Sequence, residues 1–166
     1  MSRGFVKEDD LEHAGTDIPE RPVSQHANYV TLIGYHQLEK QAAELEQKRQ
    51  LLSAKKDEQA AIQQLAIVNR DLRYVAARLE NALITQPDIN SQSVVFGAMV
   101  TVEDEAGNTH VYEIVGEDEA DIKANKISYI SPLSRALIGH KLDETVTWLR
   151  PAGNQLLTIT AIHFAN

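Results

Sequence analysis

Asp57 and Glu58 stand side by side in the stretch Ser53-Ala54-Lys55-Lys56-Asp57-Glu58-Gln59-Ala60-Ala61, and carboxylates are the hard oxygen ligands a divalent cation such as Mg2+ accepts. Successive helical residues point about 100° apart, so the two converge on one ion only if that stretch is a turn. A solvated connection between helices accounts for the same residues, lysines included. A second acidic run, Glu117, Asp118, Glu119 and Asp121, reads as a solvated loop between strands. Ser131-Pro132 has the composition of a helix start, since serine caps the first turn and proline fits its first position. The six histidines, His13, His26, His36, His110, His140 and His163, lack HExxH spacing, which argues against a zinc site. Arg70, Arg73 and Arg78 offer either a solvated helix face or a track for phosphates.

Composition narrows the classes. A chain of 166 residues buries one modest core, or a small core with an extended element. Its formal net charge of −8 gives no global positive field to draw it onto nucleic-acid phosphates. With no cysteine there is no disulfide framework or thiolate nucleophile, and a reducing cytoplasm is the expected compartment. No apolar stretch approaches the ~18 to 20 residues that span a bilayer, so no membrane association is expected.

The elements that must position these residues fall into three segments. Residues 1–28 are polar, carry Pro19 and Pro22 and show no period, as a mostly disordered tail does. From Tyr35, apolar or small residues recur at Leu38, Ala42, Leu45 and Leu52, the a and d positions of a heptad interrupted by Arg49. A second series, Ile62, Leu65, Leu72, Ala76, Leu79 and Leu83, has Asn69 at its one polar seam position. Two arms of roughly 20 residues, about 30 Å each, must bury these stripes. The short break between them favours an antiparallel hairpin, and hence a monomer, over residues 29–86.

Past Thr85 the period becomes that of strands. Val94 to Val102, His110 to Val115, Lys126 to Ile130, Thr145 to Leu149 and Gln155 to Ile162 read as a small antiparallel sheet over residues 87–166. One short helix runs from Ser131-Pro132 to Ile138, with Gly139 as its left-handed cap. The fold class is α+β: a helical hairpin, or coiled coil, followed by a β domain.

The stretches VVFGAMVTVEDEAGNTHVYEIVGEDEAD, ISYISPLSRALIGHKLDETV and PAGNQLLTITAI resemble the C-terminal domain of the Gre (GreA/GreB) transcript-elongation family. The Phe-Gly, the Ile-Val-Gly with its acidic Asp-Glu-Ala-Asp, and the Ser-Pro-x-x-Arg-Ala-Leu-x-Gly helix carry the likeness. It covers roughly Tyr29 to Phe164, the hairpin standing in the family's order. The resemblance implies an FKBP-like β domain that docks on the rim of the secondary channel of bacterial RNA polymerase, with Ser131, Pro132 and Arg135 as contacts. It implies that the hairpin enters the channel toward the catalytic magnesium, with indirect contact to nascent RNA or DNA in the elongation complex. Asp57 and Glu58 then become the tip candidates for a Mg2+ held jointly with the polymerase, the factor having no cofactor of its own. It is an accessory factor in this reading, and the polymerase performs any RNA cleavage.

Three features depart from the cleavage factors. The family's Gly-Asp-x-x-Glu-Asn-Ala tip is replaced by a stretch in which Lys55 and Lys56 precede the two acids. The arms are shorter by about two turns each, roughly 10 Å of reach. Ile130 stands where those factors have Asp or Asn. These point to an alternative, a cleavage-inactive regulator that occupies the channel. A prolyl isomerase of FKBP type is a further class, but it needs an aromatic-lined pocket, and the β domain offers only Phe96, Tyr112, Tyr129, Trp148 and Phe164.

Overall fold

The structure is a computed structural model that describes residues 18–55 and 57–165. Two helices, α1 (Leu32–Ser53) and α2 (Gln59–Glu80), each have 22 residues, about 33 Å at 1.5 Å per residue. The strands flanking them, β1 (Asn28–Val30) and β2 (Ala82–Ile84), pair in parallel with Asn28 opposite Ala82. The helices therefore start and finish at one place, and their equal lengths run antiparallel as a hairpin.

The α1 stripe lies where the heptad put it. Leu38 is buried, Ala42, Leu45, Arg49 and Leu52 are half-buried, and Glu39, Lys40, Glu44, Gln47 and Lys48 face solvent. Arg49 is tolerated because its guanidinium reaches Glu46 (Nε to Oε2 2.9 Å), which leaves its stem beside the seam. On α2 the phase differs from expectation. Leu65, Leu72 and Leu79 are half-buried as expected, but they alternate with buried Ala61, Val68 and Val75 rather than with Ile62, Asn69 and Ala76. Both series keep a heptad spacing and share the leucines. The deciding term is the cost of burying the Asn69 amide where Val68 needs no hydrogen bond.

The chain divides into two compact units, one containing Leu38–Asn81 with residues 18–25, the other His26–Gln37 with Ala82–Asn166. The root segment that leads into α1 thus groups with the β unit, and nine of its twelve residues, 29–37, fall in the stretch read as hairpin. Of the segment expected to be a disordered tail, residues 1–17 lie outside the described residues. Residues 18–27 are placed, and Glu20 and Arg21 make side-chain contacts with α2.

In the β unit, β3 (Ala98–Asp104), β4 (Thr109–Val115), β5 (Lys126–Ser128), β6 (Thr145–Trp148) and β7 (Gln155–Phe164) form one sheet in the order β5-β4-β3-β7-β6. It is mixed rather than antiparallel, because β5 joins β4 in parallel after a crossover through a 3-10 turn, Ile122–Ala124. β3 begins later than Val94, since Gly97 adopts φ 88 and turns the chain. Val94 instead bonds to the backbone of Gly139 and His140. Helix α3 (Pro132–Leu137) drops Leu133 and Leu137 into a core of Val100, Val102, Ile114 and Ile159.

The α2 phase is testable. Val75→Ala should destabilise the hairpin by roughly 2 kcal/mol, two methyl groups plus the cavity they leave, whereas Ala76→Gln should fall within about 0.5 kcal/mol of wild type. Denaturant unfolding followed by helical circular dichroism measures both, and the reverse ranking would restore the other phase.

Candidate functional site

Ser131 begins α3 as its N-cap, accepting from Ser134 N at 3.2 Å while its hydroxyl also meets Ser134 Oγ at 3.1 Å. Ser134 Oγ in turn donates to Ser128 O at 2.6 Å. The Ser131 hydroxyl is thus engaged inside the corner, and it is Pro132 and Arg135 that are exposed. Beside this corner lies a shallow groove of about 340 Å3 whose lining includes Asp121, Ile122, Lys126, Ile127, Ser128 and Ser131. It unites the acidic run with the Ser131 corner, two segments that the sequence offered separately. Asp121 is occupied in capping the 3-10 turn, accepting from Lys123 N at 3.1 Å, and Asn125 closes that turn at φ 57. The turn holds out Ile122, which is 85% exposed.

The acidic run has a second face. Glu119 is not a solvated loop residue: its side chain is 3% exposed and pairs with Lys126 Nζ at 3.4 Å. It accepts from Thr31 Oγ1 at 2.5 Å. Thr31 is the N-cap of α1, its Oγ1 accepting from Gly34 N at 2.9 Å. A Cβ on Gly34 would stand 2.6 Å from Glu119 Oε1, and one on Gly116 would stand 2.5 Å from Tyr29 O. Tyr29, Phe96 and Tyr129 complete this root, with ring centroids 5.4 to 6.1 Å apart. Two of the aromatics an isomerase pocket would need are thus packed against Tyr29.

At the far end of α1, Asp57 and Glu58 lie in the turn between the helices, and both are exposed. Lys55 N bonds to Leu52 O at 3.0 Å and Glu58 N to Lys55 O at 2.9 Å, while Lys56 lies outside the described residues. Glu58 is the N-cap position of α2 with extended backbone, and its side chain makes no capping bond. The turn that convergence on one ion requires is therefore present. Two carboxylates cannot fill an octahedral Mg2+ shell by themselves. No group of three or more potential ligands occurs among the described residues. Most of such an ion's oxygen ligands would have to come from water or from another molecule.

The arginines of α2 are not a free track. Arg70 Nη2 lies 3.1 Å from Asp71, Arg73 pairs with Glu20, and Arg78 is buried.

Residues 89–164 match the family model described as transcription elongation factor, GreA/GreB, C-term. A transcription elongation factor GreA of Sphingopyxis alaskensis is 35% identical over 145 residues, which cover 79% of this chain and 92% of that protein. The chain belongs to the GreA/GreB family of transcription elongation factors. A GreB of Pseudomonas aeruginosa is 41% identical over 98 residues, covering 58% of each protein. The crystal structure of GreA factor homolog 1 (Gfh1) of Thermus thermophilus overlaps 83% of this chain and 99% of its own at 23% identity and a TM-score of 0.40, so membership rests on the sequence matches.

For this GreA/GreB member, the structure brings Ser131 and Asp121 onto one groove and puts Asp57 and Glu58 together in one turn. Reading the acidic run as a loop missed Glu119. The signal was Gly116 three residues earlier, a position where backbone must approach backbone. Gly116→Ala forces Tyr29 to shift and should destabilise the β unit by about 1 to 3 kcal/mol. Glu119→Ala, which strips the partner from the Thr31 hydroxyl and Lys126, should cost about as much. The fluorescence of the lone Trp148 during urea unfolding reports both, and values near zero would remove the root from the account of stability.

Proposed function

We propose that this GreA/GreB factor binds bacterial RNA polymerase at the rim of its secondary channel through the corner formed by Ile122, Ser131, Pro132 and Arg135. The hairpin is inserted toward the catalytic Mg2+, and the factor acts chiefly by occupying the channel in backtracked or paused complexes. The observation that carries the docking half is the groove beside Ser131, where an exposed isoleucine stands on a rigid turn within the part of the chain that matches the family. Polymerase is the partner because the relatives are transcription elongation factors, and the factor is an accessory to the polymerase's own chemistry.

Occupancy is favoured over strong stimulation of cleavage by the tip. A cleavage factor must put a carboxylate near 2.1 Å from the ion. Lys55, exposed in the same turn as Asp57 and Glu58, weakens their pull on a cation through like-charge repulsion. The helices of 22 residues set the reach. Prolyl isomerisation is disfavoured, since neither the groove at Ser131 nor the larger one of about 420 Å3 near Thr31, Pro87 and Ile89 contains an aromatic side chain.

Two measurements test the proposal. Ile122→Asp should weaken polymerase binding about tenfold, the value of one desolvated apolar side chain of ~1.4 kcal/mol or more, with no change in unfolding midpoint; unchanged affinity would move docking elsewhere. Transcript cleavage by wild type and by Asp57→Ala/Glu58→Ala, compared at matched polymerase occupancy, should be near background for both. Robust cleavage that vanishes in the double variant would return the protein to the cleavage class.

A further inference from the structure

Within the β unit, the start of α1, the segment after β2 and one edge of β4 border a groove of about 420 Å3. Its lining includes Leu32, Ile33, Pro87, Ile89, Glu113 and Ala165. By strand alternation Glu113 stands on the sheet face opposite the core residue Ile114. The groove shares no lining residue with the one beside Ser131.

Its walls are held from behind. Thr31 Oγ1 caps Gly34 N at 2.9 Å, so Leu32 and Ile33 sit on a closed first turn. Thr85 N bonds to Val30 O at 2.8 Å and ties the segment after β2 to β1. Pro87 lies over Gly97, where a Cβ would stand 3.0 Å from its Cγ. Asp88 then closes a turn, its Oδ1 accepting from Asn90 N and its carbonyl from Ser91 N, each at 2.9 Å. That turn holds out Ile89, which is 68% exposed, while Ile33 is 56% exposed. These apolar side chains line one groove rather than lying scattered, and contiguous apolar surface of that kind marks a contact site.

Charge selects the occupant. Among the described residues that line the groove, Glu113 alone is charged. Its neighbour in register, Lys126, is committed to Glu119 at 3.4 Å, and no ion pair to Glu113 occurs among the described residues. A carboxylate beside apolar side chains suits a cation carried on an apolar stem. A chain of net charge −8 repels a second copy of itself and attracts basic segments. Small-molecule pockets enclose most of their ligand's surface. A groove with rim residues as exposed as Ile33 and Ile89 covers one side of a peptide instead.

We propose that this groove binds a peptide segment of a partner protein, which presents leucine-like side chains to Leu32, Ile33 and Ile89 and a lysine or arginine to Glu113. The apolar contacts supply most of the affinity, and the ion pair supplies the choice of partner. Neither the Ile122 corner nor the hairpin tip takes part, so this contact stands independently of the polymerase reading.

The probes are acetyl-Leu-Leu-Arg-amide and acetyl-Leu-Leu-Glu-amide, titrated into the full chain with its isoleucine and leucine methyl groups isotopically labelled. The arginine peptide should shift the methyl signals of Leu32, Ile33 and Ile89. It should bind about three- to fivefold more tightly than the glutamate peptide, the value of one part-exposed ion pair. Glu113→Gln should erase that preference and Glu113→Lys should reverse it, with the unfolding midpoint unchanged. Ile89→Ser should weaken both peptides about tenfold. Unshifted methyl signals, an equal response to the two peptides, or a preference for arginine that survives Glu113→Lys would overturn the proposal. The same methyl signals moving with protein concentration alone would also overturn it, and would give the groove to a second copy of the chain.

Discussion

A carboxylate taken out of water costs several kcal/mol unless it is paired and hydrogen-bonded, and Glu119 is such a group. Lys126 supplies the opposite charge and Thr31 the hydrogen bond, so the acid is stable only where the first turn of α1 and strand β5 are both in place. Thr31 makes the dependence mutual. Its Oγ1 caps Gly34 N, so one hydroxyl organises the helix start and satisfies the buried acid. The close approaches at Gly34 and Gly116 follow from the same packing, since neither site has room for a side-chain carbon. The turn anchored in this way is the first turn of α1, a helix that is continuous from Leu32 to Ser53.

Much of this was legible in the sequence, and the misses share a physical origin. The α1 seam could be read residue by residue, Arg49 included, because one apolar series stood alone there. On α2 two heptads overlapped, and the period could not choose between Val68 and Asn69; desolvation of the amide does, but that requires knowing which side faces a neighbour. The short helix was legible at its start, where Ser131 and Pro132 each have a local reason to be; at its end the cap is Ile138, and Gly139, at φ 90, gives its N–H to Val94 O rather than to the helix. The parallel entry of β5 and the pairing of β1 with β2 were not, because strands of three residues carry too little pattern to set register. The break between the two heptad series located Asp57 and Glu58 between the helices. The burial of Glu119 could not be found that way, because its partner Thr31 is 88 positions away and nothing in an acidic run distinguishes its one buried member.

The Ser131 corner shows that a motif can be legible while the direction its side chains face is not. The Ser131 hydroxyl, which the sequence offered as a contact, and the Asp121 carboxylate of the acidic run are both engaged by backbone or by Ser134 within their own turns. Their work is to fix the shape of the corner. What they leave outward is Pro132, Arg135 and Ile122, of which only Ile122 is apolar, large and 85% exposed.

Energetics favours that residue as the anchor of any partner seated there. Full burial of an isoleucine returns about 1.5 to 3 kcal/mol, whereas an exposed ion pair through Arg135 contributes about 0 to 1 kcal/mol and less in salt. Binding also costs the freedom of whatever it immobilises. Ile122 is β-branched and stands on a turn closed by Asp121 at one end and by Asn125 in the left-handed conformation at the other. Much of its ordering is therefore complete before a partner arrives. A flexible arginine surrenders more rotamer freedom for a weaker contact, so the balance of the docking energy lies with the side chain that has no charge and no hydrogen bond to offer.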